Sequence, residues 1–288
     1  MKKIIIYFIF SCIIISFSSC GLFTLDNYDA PDQTLCGTIW DRNHPDGPKA
    51  LLTNQGSEGI RIRLRELSWS ETPENQDFWC TKDGTYFNSA IFAGYYNIQV
   101  DGPFMPLIRT KPDGTVIEDN SAFRDIKGGT TTVDFDVEPF LRVEWVGEPT
   151  VSDGVITCKF KVTRGVTVER LRELLEPTGT WSSNAHEVMS LNLFCSESPT
   201  LGWRDGQDYW RQINFPANGN PDYNWAADSQ FDNVLQFGET ITMTTQRVSS
   251  GRTVFVRCGA RIRYQTQGVA RPCYNVAKKV DVPKYTLN

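Results

Sequence analysis

The feature that most constrains the fold of this chain is a strict alternation of apolar and charged side chains over residues 60–65. The apolar positions are Ile60, Ile62 and Leu64, and the charged positions are Arg61, Arg63 and Arg65. A period of two is that of a β-strand with one buried face and one solvated face. The same period returns at 133–138, where Val133, Phe135 and Val137 alternate with Asp134, Asp136 and Glu138. Opposite charges on adjacent strands are stabilising by roughly 0.2–1 kcal/mol per pair, so the two stretches predict neighbouring strands of one sheet.

Short strands separated by turns are predicted along the rest of the chain. Asp83-Gly84 marks a tight turn, and Pro139-Phe140 marks a junction between two domains. Further strands are predicted at 93–100, 141–146, 155–162, 187–195, 239–248, 252–264 and 274–280. One helix is expected over 167–176, with Thr167 as its cap and Pro177 at its end. The pattern predicts an all-β protein of two β-sandwich domains, residues 34–139 and 140–288, the second immunoglobulin- or fibronectin-like with one short helix.

The motifs of the first predicted domain occur in a recognisable order. They are Gly37-Thr38-Ile39-Trp40-Asp41, the Ile/Arg strand, Asp83-Gly84-Thr85-Tyr86-Phe87, Gly94-Tyr95-Tyr96-Asn97-Ile98-Gln99-Val100 and Thr132-Val133-Asp134-Phe135. In this order residues 34–138 resemble the carboxypeptidase regulatory-like domain. The resemblance implies a transthyretin-like β-sandwich that serves as a scaffold without catalysis. The long stretch 101–129 departs from the compact form of that domain.

The N-terminus has the layout of a secretory signal peptide. Lys2 and Lys3 precede an apolar run from Ile4 to Ile15, and small residues lead to Cys20. This segment resembles a lipobox, with Phe17 where Leu is usual. The resemblance implies cleavage after residue 19, lipid on Cys20 and a tether over 20–33. Gly21 follows the cysteine, and by resemblance to sorting rules in other diderm bacteria this implies an outer-membrane lipoprotein. Surface exposure is the expected side, with the periplasmic face as the alternative.

Charge and cysteine content narrow the function further. The formal net charge is −5, and removal of the signal peptide with its two lysines leaves −7. An acidic chain is a poor candidate for nucleic-acid binding, which requires a basic surface. Six cysteines remain in the mature chain: Cys36, Cys80, Cys158, Cys195, Cys258 and Cys273. An exported protein can oxidise them to disulfides, and the alternative is that they are small buried side chains.

The opening of the mature chain carries a second resemblance. The run Leu25-Asp26-Asn27-Tyr28-Asp29-Ala30-Pro31 leads into the strand with Cys36-Gly37. With the two-domain layout, this run resembles a family of Bacteroidetes lipoproteins encoded beside SusC/SusD-type glycan importers. The resemblance implies a membrane location and such an importer as partner, and it implies no proven ligand.

Aromatic and hydrogen-bonding side chains are densest between residues 201 and 232. The candidate ligand-binding set is Trp203, Asp205, Asp208, Tyr209, Trp210, Arg211, Tyr223, Asn224 and Trp225. A pyranose has one apolar face that stacks on a flat ring, and its hydroxyls need planar polar partners. The set therefore predicts glycan contact, and the alternative is that these rings pack under a long loop as a satellite core.

Motifs for catalysis, metals and cofactors are missing from the sequence. Only His44 and His186 are available as imidazole bases, and His44 is expected to be exposed. No zinc-protease, nucleophile-elbow or phosphate-binding motif occurs, and no C-x-x-C occurs. We therefore expect no enzyme, no metal and no cofactor. A glycosidase needs only two acids about 5–10 Å apart, which a sequence does not display.

Three functions follow, in order of preference. The first is non-catalytic glycan binding as an accessory of polysaccharide uptake. The second is a structural subunit that positions partner proteins at the cell surface, and the third is a carboxylate-based glycosidase. Exposed aromatic rings favour the first, a flat apolar patch the second and two facing acids in a cleft the third.

Overall fold

The chain is built almost entirely from β-strands. The structure is a computed structural model that describes residues 29–70, 72–203, 208–215, 224–225 and 234–286. Within those ranges it contains six hydrogen-bonded sheets, one α-helix and one 3₁₀ turn, Glu176–Thr178. The predicted all-β class with a single short helix is confirmed.

The N-terminal unit, from Gln33 to Asp136, contains two main sheets. Strand β1 (Gln33–Asp41) is the centre of the first sheet. It pairs with β2 (Lys49–Ala50), β5 (Thr85–Ile91), β10 (Thr130–Thr132) and β11 (Phe135–Asp136). The second, which we call the β3 sheet, has the order β4 (Asn75–Trp79), β3 (Arg61–Glu66), β6 (Gly94–Asp101) and β9 (Ala122–Ile126). A separate hairpin joins β7 (Ile108–Thr110) and β8 (Val116–Asp119).

One hydrophobic core joins the two sheets of this unit. Leu35 and Ile39 of β1 share a cluster with Ile62 and Leu64 of β3. All four side chains are fully buried, whereas the arginines between the β3 pair are not. The predicted alternation over 60–65 is therefore confirmed, and its apolar half forms one side of a β-sandwich.

The predicted pairing of residues 60–65 with residues 133–138 is wrong. Strand β3 pairs with β4 and β6, whereas β11 pairs in parallel with β1 in the other sheet. The acids of 133–138 find their partners near β1: Asp134 accepts the backbone N–H of Thr38 at 2.8 Å, and Asp136 binds Arg42 at 2.7 Å. Complementary charge alone does not select a strand partner when several acidic strands are present.

The C-terminal unit, from Leu141 to Asp281, also contains two main sheets. In one, β14 (Val155–Arg164) pairs with β12 (Leu141–Trp145), β13 (Thr150–Ser152) and β19 (Ile241–Thr244). The other contains β16 (Arg211–Asn214), β15 (Val188–Ser196), β20 (Thr253–Ile262), β21 (Cys273–Tyr274) and β22 (Lys278–Asp281). A short hairpin pairs β17 (Asn224–Trp225) with β18 (Val234–Leu235).

The helix α1 (Val168–Leu175) closes one end of the second core. The hydroxyl of Thr167 accepts the N–H of Arg170 at 3.1 Å, which is the predicted N-cap. Leu171, Leu174 and Leu175 are buried against both sheets in one large cluster. The prediction of a capped helix over 167–176 is confirmed.

Buried arginines connect the two units. Arg257 of β20 donates to the carbonyl oxygens of Thr53 at 3.0 Å, Leu201 at 3.1 Å and Asn275 at 2.8 Å. Arg271 donates to the carbonyl of Ser57 at 2.8 Å. A buried guanidinium is costly unless its donors are bonded, and for Arg257 backbone carbonyls from both units accept these bonds. Burial lowers the pKa of Arg257 to about 10.

The six cysteines from Cys36 to Cys273 all lie in the described residues, and none of them forms a disulfide. Five are buried, and burial raises the pKa of Cys80, Cys158, Cys195 and Cys273 to about 12. The alternative of small buried side chains is therefore the one the structure shows. Among the described residues no helix has the length and apolar composition needed to cross a membrane.

Candidate functional site

Part of the predicted ligand-binding set lies outside the described residues. Asp205 and Tyr223 are in this group, as is the predicted lipidation site Cys20. The backbones of Asn224 and Trp225 form strand β17. Glycan contact through these residues stays a prediction.

The side chain of Trp203 packs against the protein and does not form an exposed platform. Its backbone N–H donates to the hydroxyl of Tyr274 at 3.2 Å, and its ring packs against the cluster of Phe194, Leu201 and Tyr274. The guanidinium of Arg261 lies 3.8 Å from the ring centroid and covers one face of the indole. Trp203 therefore follows the alternative of a satellite core.

The neighbouring members of the set are held by the C-terminal unit. Tyr209 packs against the large core cluster, and its N–H donates to the carbonyl of Cys195 at 3.0 Å. The carboxylate of Asp208 accepts the hydroxyl of Ser196 at 2.5 Å. Trp210 and Arg211 are half-buried at the start of β16. These four side chains lie beside one another in sequence without forming an exposed aromatic row.

The exposed aromatic rings of the described residues lie instead in the N-terminal unit. They are Trp69, Trp79, Phe87, Phe92, Tyr95 and Phe123. Tyr95 and Phe123 stack with their centroids 6.3 Å apart and their planes at 29°, and they remain 45% and 44% exposed. Two exposed rings in contact form an apolar patch on the protein surface, and such patches mark candidate binding sites.

Strand register places these two rings among polar side chains on the outer face of the β3 sheet. Residues directly opposite in an antiparallel pair point to the same side of a sheet. The side that faces away from the core, which we call the arginine face, therefore carries Arg61, Arg63, Arg65, Asn75, Asp77, Trp79, Tyr95, Asn97, Gln99, Asp101, Phe123 and Asp125. Rings, amides and charged groups are thus combined on one surface.

Two of the three arginines on this face are neutralised by acids opposite them. Arg63 donates to both oxygens of Asp77, at 2.7 and 2.8 Å, and this bonding lowers the pKa of the Asp77 carboxyl. Arg61 donates to Asp101 through Nε at 3.2 Å. Arg65 is opposed by the amides Asn75 and Asn97, and no hydrogen bond or ion pair joins its side chain to any described residue.

The amides on the arginine face are ordered by hydrogen bonds. Asn97 donates through its amide nitrogen to the hydroxyl of Ser121 at 2.6 Å, and its oxygen accepts the amide of Gln99 at 2.6 Å. Asn75 is exposed on the edge strand. Asn97 is thus buried in this network, and the amides within reach of a ligand are those of Gln99, which is half-buried, and Asn75.

A cleft of about 530 Å³ lies between the two units. His44, Lys49 and Glu144 line it. Asp46 lies two residues after His44, and the ligand atoms of His44, Asp46 and Glu144 lie within 4.8 Å of one another. Lys49 Nζ is 2.9 Å from Asp46 Oδ2 and 3.8 Å from Glu144 Oε1, so an ammonium group already compensates these acids. The His44 side chain is only 7% exposed, which corrects the expectation of an exposed residue. Its pKa is lowered by burial and by Lys49.

The acids of this cleft are held by cations. Asp41 binds Arg142 at 2.6 and 2.9 Å, and Glu144 binds Lys161 at 3.1 Å. His186 is buried beside Trp181, with ring centroids 6.0 Å apart. A general acid must hold a proton in the resting site, and paired carboxylates do not suit that role.

Known proteins resemble this chain in sequence and in fold. A family described as "Protein of unknown function (DUF3823) N-terminal domain" matches residues 34–138. No curated protein matches the chain. A DUF3823 family protein from Bacteroides uniformis is 40% identical, with a TM-score of 0.76 over 88% of this chain and 100% of that chain.

More distant structures share the fold. A protein from Bacteroides uniformis, named "putative carbohydrate binding protein", is 19% identical with a TM-score of 0.57, over 88% of this chain and 100% of that chain. A DUF3823 family protein from Parabacteroides merdae is 15% identical with a TM-score of 0.56, also over 88% of this chain and 100% of that chain. At these identities the likeness shows the fold alone.

Proposed function

This chain belongs to the DUF3823 family, and we propose that it is a non-catalytic glycan-binding lipoprotein of the outer membrane. The observation that carries the proposal is the exposed, stacked pair of Tyr95 and Phe123 on the arginine face. The apolar side of a pyranose gains by stacking on such rings. Gln99 and Asn75 on the same face are the amides available to hydroxyl groups of the glycan.

The proposal places binding in the N-terminal unit. The resemblance of residues 34–138 to a carboxypeptidase regulatory-like domain implied a scaffold, and the arginine face gives that scaffold a ligand surface. The carbohydrate-binding name of the Bacteroides uniformis neighbour agrees with this function. Residues 201–228 remain a second place for contact.

Anchoring and partners are part of the proposal. Lipid on Cys20 would hold the chain to the outer membrane, and several acyl chains anchor far more firmly than one. A glycan-binding protein at the cell surface would supply polysaccharide to a SusC/SusD-type importer. Chemical crosslinking in whole cells is expected to join the chain to such an importer.

The anchor is tested by Cys20→Ala in the full-length precursor. We expect this variant in the soluble fraction, because it lacks the acylated residue. The wild-type chain should stay with the outer membrane. A variant that remains membrane-bound and keeps its first nineteen residues would show that the lipobox interpretation is wrong.

Glycan binding is tested with the soluble Cys20→Ala chain on a glycan array, followed by titration of the best ligand. Tyr95→Ala combined with Phe123→Ala is expected to weaken binding by about tenfold or more, since stacking on an aromatic ring contributes on the order of 1–3 kcal/mol. Phe87→Ala is the matched control, because Phe87 is 67% exposed but belongs to the other sheet. Its affinity should equal that of the parent chain. Equal affinity for the double variant and the parent chain would refute the assignment.

A further inference from the structure

Arg65 differs from the other arginines of its strand in having no acidic partner among the described residues. Asp77 lies opposite Arg63 and Asp101 lies opposite Arg61, so two guanidinium groups are neutralised within the sheet. The acids nearest to Arg65 are already engaged. Asp77 accepts two bonds from Arg63, and Glu66 accepts the backbone N–H groups of Ser68 and Trp69.

The stacked rings lie beside this free guanidinium. Asn97, directly opposite Arg65 on β6, is also directly opposite Phe123 on β9. Tyr95 is two residues from Asn97 on the same side of the strand, which makes it a diagonal neighbour of Arg65. Diagonal neighbours in a sheet are about 7–8 Å apart. A ligand stacked on the rings therefore brings its substituents to Arg65.

We propose that the glycan bound on the arginine face is acidic, and that Arg65 binds its carboxylate or sulfate group. The inference rests on the proposed function, since it names the class of glycan for the same surface. The planar guanidinium donates two parallel hydrogen bonds to a carboxylate or a sulfate. An aromatic pair for the sugar ring and a cation for its acidic group together describe a site for a uronic acid or a sulfated sugar.

The whole chain is acidic, so its overall charge does not attract an acidic glycan to Arg65. The formal net charge is −5, so long-range electrostatics repel a polyanion. Binding of an acidic glycan must then depend on a cation that is free of internal partners. Asp125 on the same face is compensated by Lys127, so within the described part of the chain Arg65 is the charge of this face that has no partner.

The test uses the soluble Cys20→Ala chain with three polymers: polygalacturonate for carboxylate, dextran sulfate for sulfate, and dextran as the neutral case. We expect at least one polyanion to bind and Arg65→Gln to weaken that binding by about tenfold, as for loss of a charge-assisted hydrogen bond. Arg65→Lys should give a smaller loss, because lysine keeps the charge without the fork. The preferred polymer tells a carboxylate ligand from a sulfate ligand.

The charge-matched control is Arg247→Gln. Arg247 is exposed in the C-terminal unit, so this variant changes the net charge equally without altering the arginine face. It should bind as the parent chain does, and thermal melting should show both glutamine variants folded. Equal losses for the two variants would overturn the role of Arg65.

Two outcomes separate this inference from the function on which it rests. If a glycan array gives only neutral ligands, and these depend on Tyr95 and Phe123, the acidic ligand class is overturned while glycan binding stands. If the array and the three polymers all give no binding, both fail.

Discussion

Two regions of this protein combine aromatic rings with arginine and use them in opposite ways. In the C-terminal unit, Arg261 lies 3.8 Å from the ring centroid of Trp203, and each covers the other. On the arginine face, Tyr95 and Phe123 stack with one another, and Arg65 stands beside them without a bond to any described residue. The residue types are alike, so composition does not separate packing from binding. The difference is whether the guanidinium and the ring already satisfy each other.

The arginines of the C-terminal unit are held in place by several contacts. Arg261 also donates to the hydroxyl of Ser190 at 3.0 Å, and burial lowers the pKa of Arg261. Arg257 lies 4.2 Å from the ring centroid of Tyr274, whose hydroxyl accepts the N–H of Trp203. On the arginine face, strand register places an acid opposite each of two arginines and amides opposite the third. Four experiments test this contrast.

The largest effect is expected from Arg257→Ala. The change leaves the carbonyls of Thr53, Leu201 and Asn275 without their donor in a buried place. Since each buried unsatisfied group costs about 1–3 kcal/mol, the free energy of unfolding should fall by about 3 kcal/mol or more. Chemical denaturation measures it. Arg65→Ala is the matched control and should stay within about 0.5 kcal/mol of wild type. Similar losses of stability for both variants would contradict the distinction between an arginine bonded inside the protein and one without a partner.

A smaller effect on stability is expected from Trp203→Ala. The ring is half-buried, so we expect a loss of about 2 kcal/mol, below that of a fully buried tryptophan. Glycan affinity per folded molecule should not change. Trp79→Ala, which removes an exposed ring from the arginine face, should cost less stability. A Trp203 variant with wild-type stability and reduced affinity would instead assign binding to residues 201–228.

The substitution Asn75→Asp is designed to give Arg65 an acidic partner. The new carboxylate would stand opposite Arg65, as Asp77 stands opposite Arg63. The pair should stabilise the fold by at most about 1 kcal/mol, as exposed ion pairs do. Its main effect is expected on acidic glycans, whose affinity should fall by about tenfold because the guanidinium is occupied and a negative charge is added. Titration with the preferred polyanion measures this, and Asn75→Ala separates the added charge from the lost amide. Undiminished affinity in the aspartate variant would contradict a role for Arg65.

These contrasts show what the sequence could and could not predict. Period-two alternation predicted β3, and the Thr167 cap with Pro177 predicted α1, because each signal is local. Strand β4 was not predicted, since Asn75–Trp79 has only polar or exposed side chains apart from the half-buried Phe78. Without β4 the sequence does not show the acid opposite Arg63, and it predicts the acids at 133–138 as partners instead.

One feature of the sequence indicates the proposed binding surface. In strand β6, Tyr96, Ile98 and Val100 are buried, so Tyr95 falls in the outward phase with Asn97 and Gln99. An aromatic residue in the solvated phase of a strand is a stronger indication of a platform than aromatics in a loop. The stacking of Tyr95 on Phe123 depends on the pairing of β6 with β9, which no local pattern gives.

The smallest effect concerns the pH dependence of the Arg63–Asp77 pair. The hydrogen bond from Arg63 lowers the pKa of Asp77 below its ordinary value of 3.8. A carboxyl with a lowered pKa in the folded state contributes stability above its unfolded pKa, and this contribution is lost as the pH falls through the folded pKa. The pair is partly exposed, so it contributes only about 0.2–1 kcal/mol.

We therefore expect Asp77→Asn to be less stable than wild type at pH 7, with the difference shrinking below about pH 4. Urea unfolding from pH 7 to pH 2.5 measures this. The deficit of Trp203→Ala should stay constant over the same range, because neither Trp203 nor Arg261 titrates there. A deficit for Asp77→Asn that persists at pH 2.5 would mean that the carboxylate does not stabilise the arginine face through its charge.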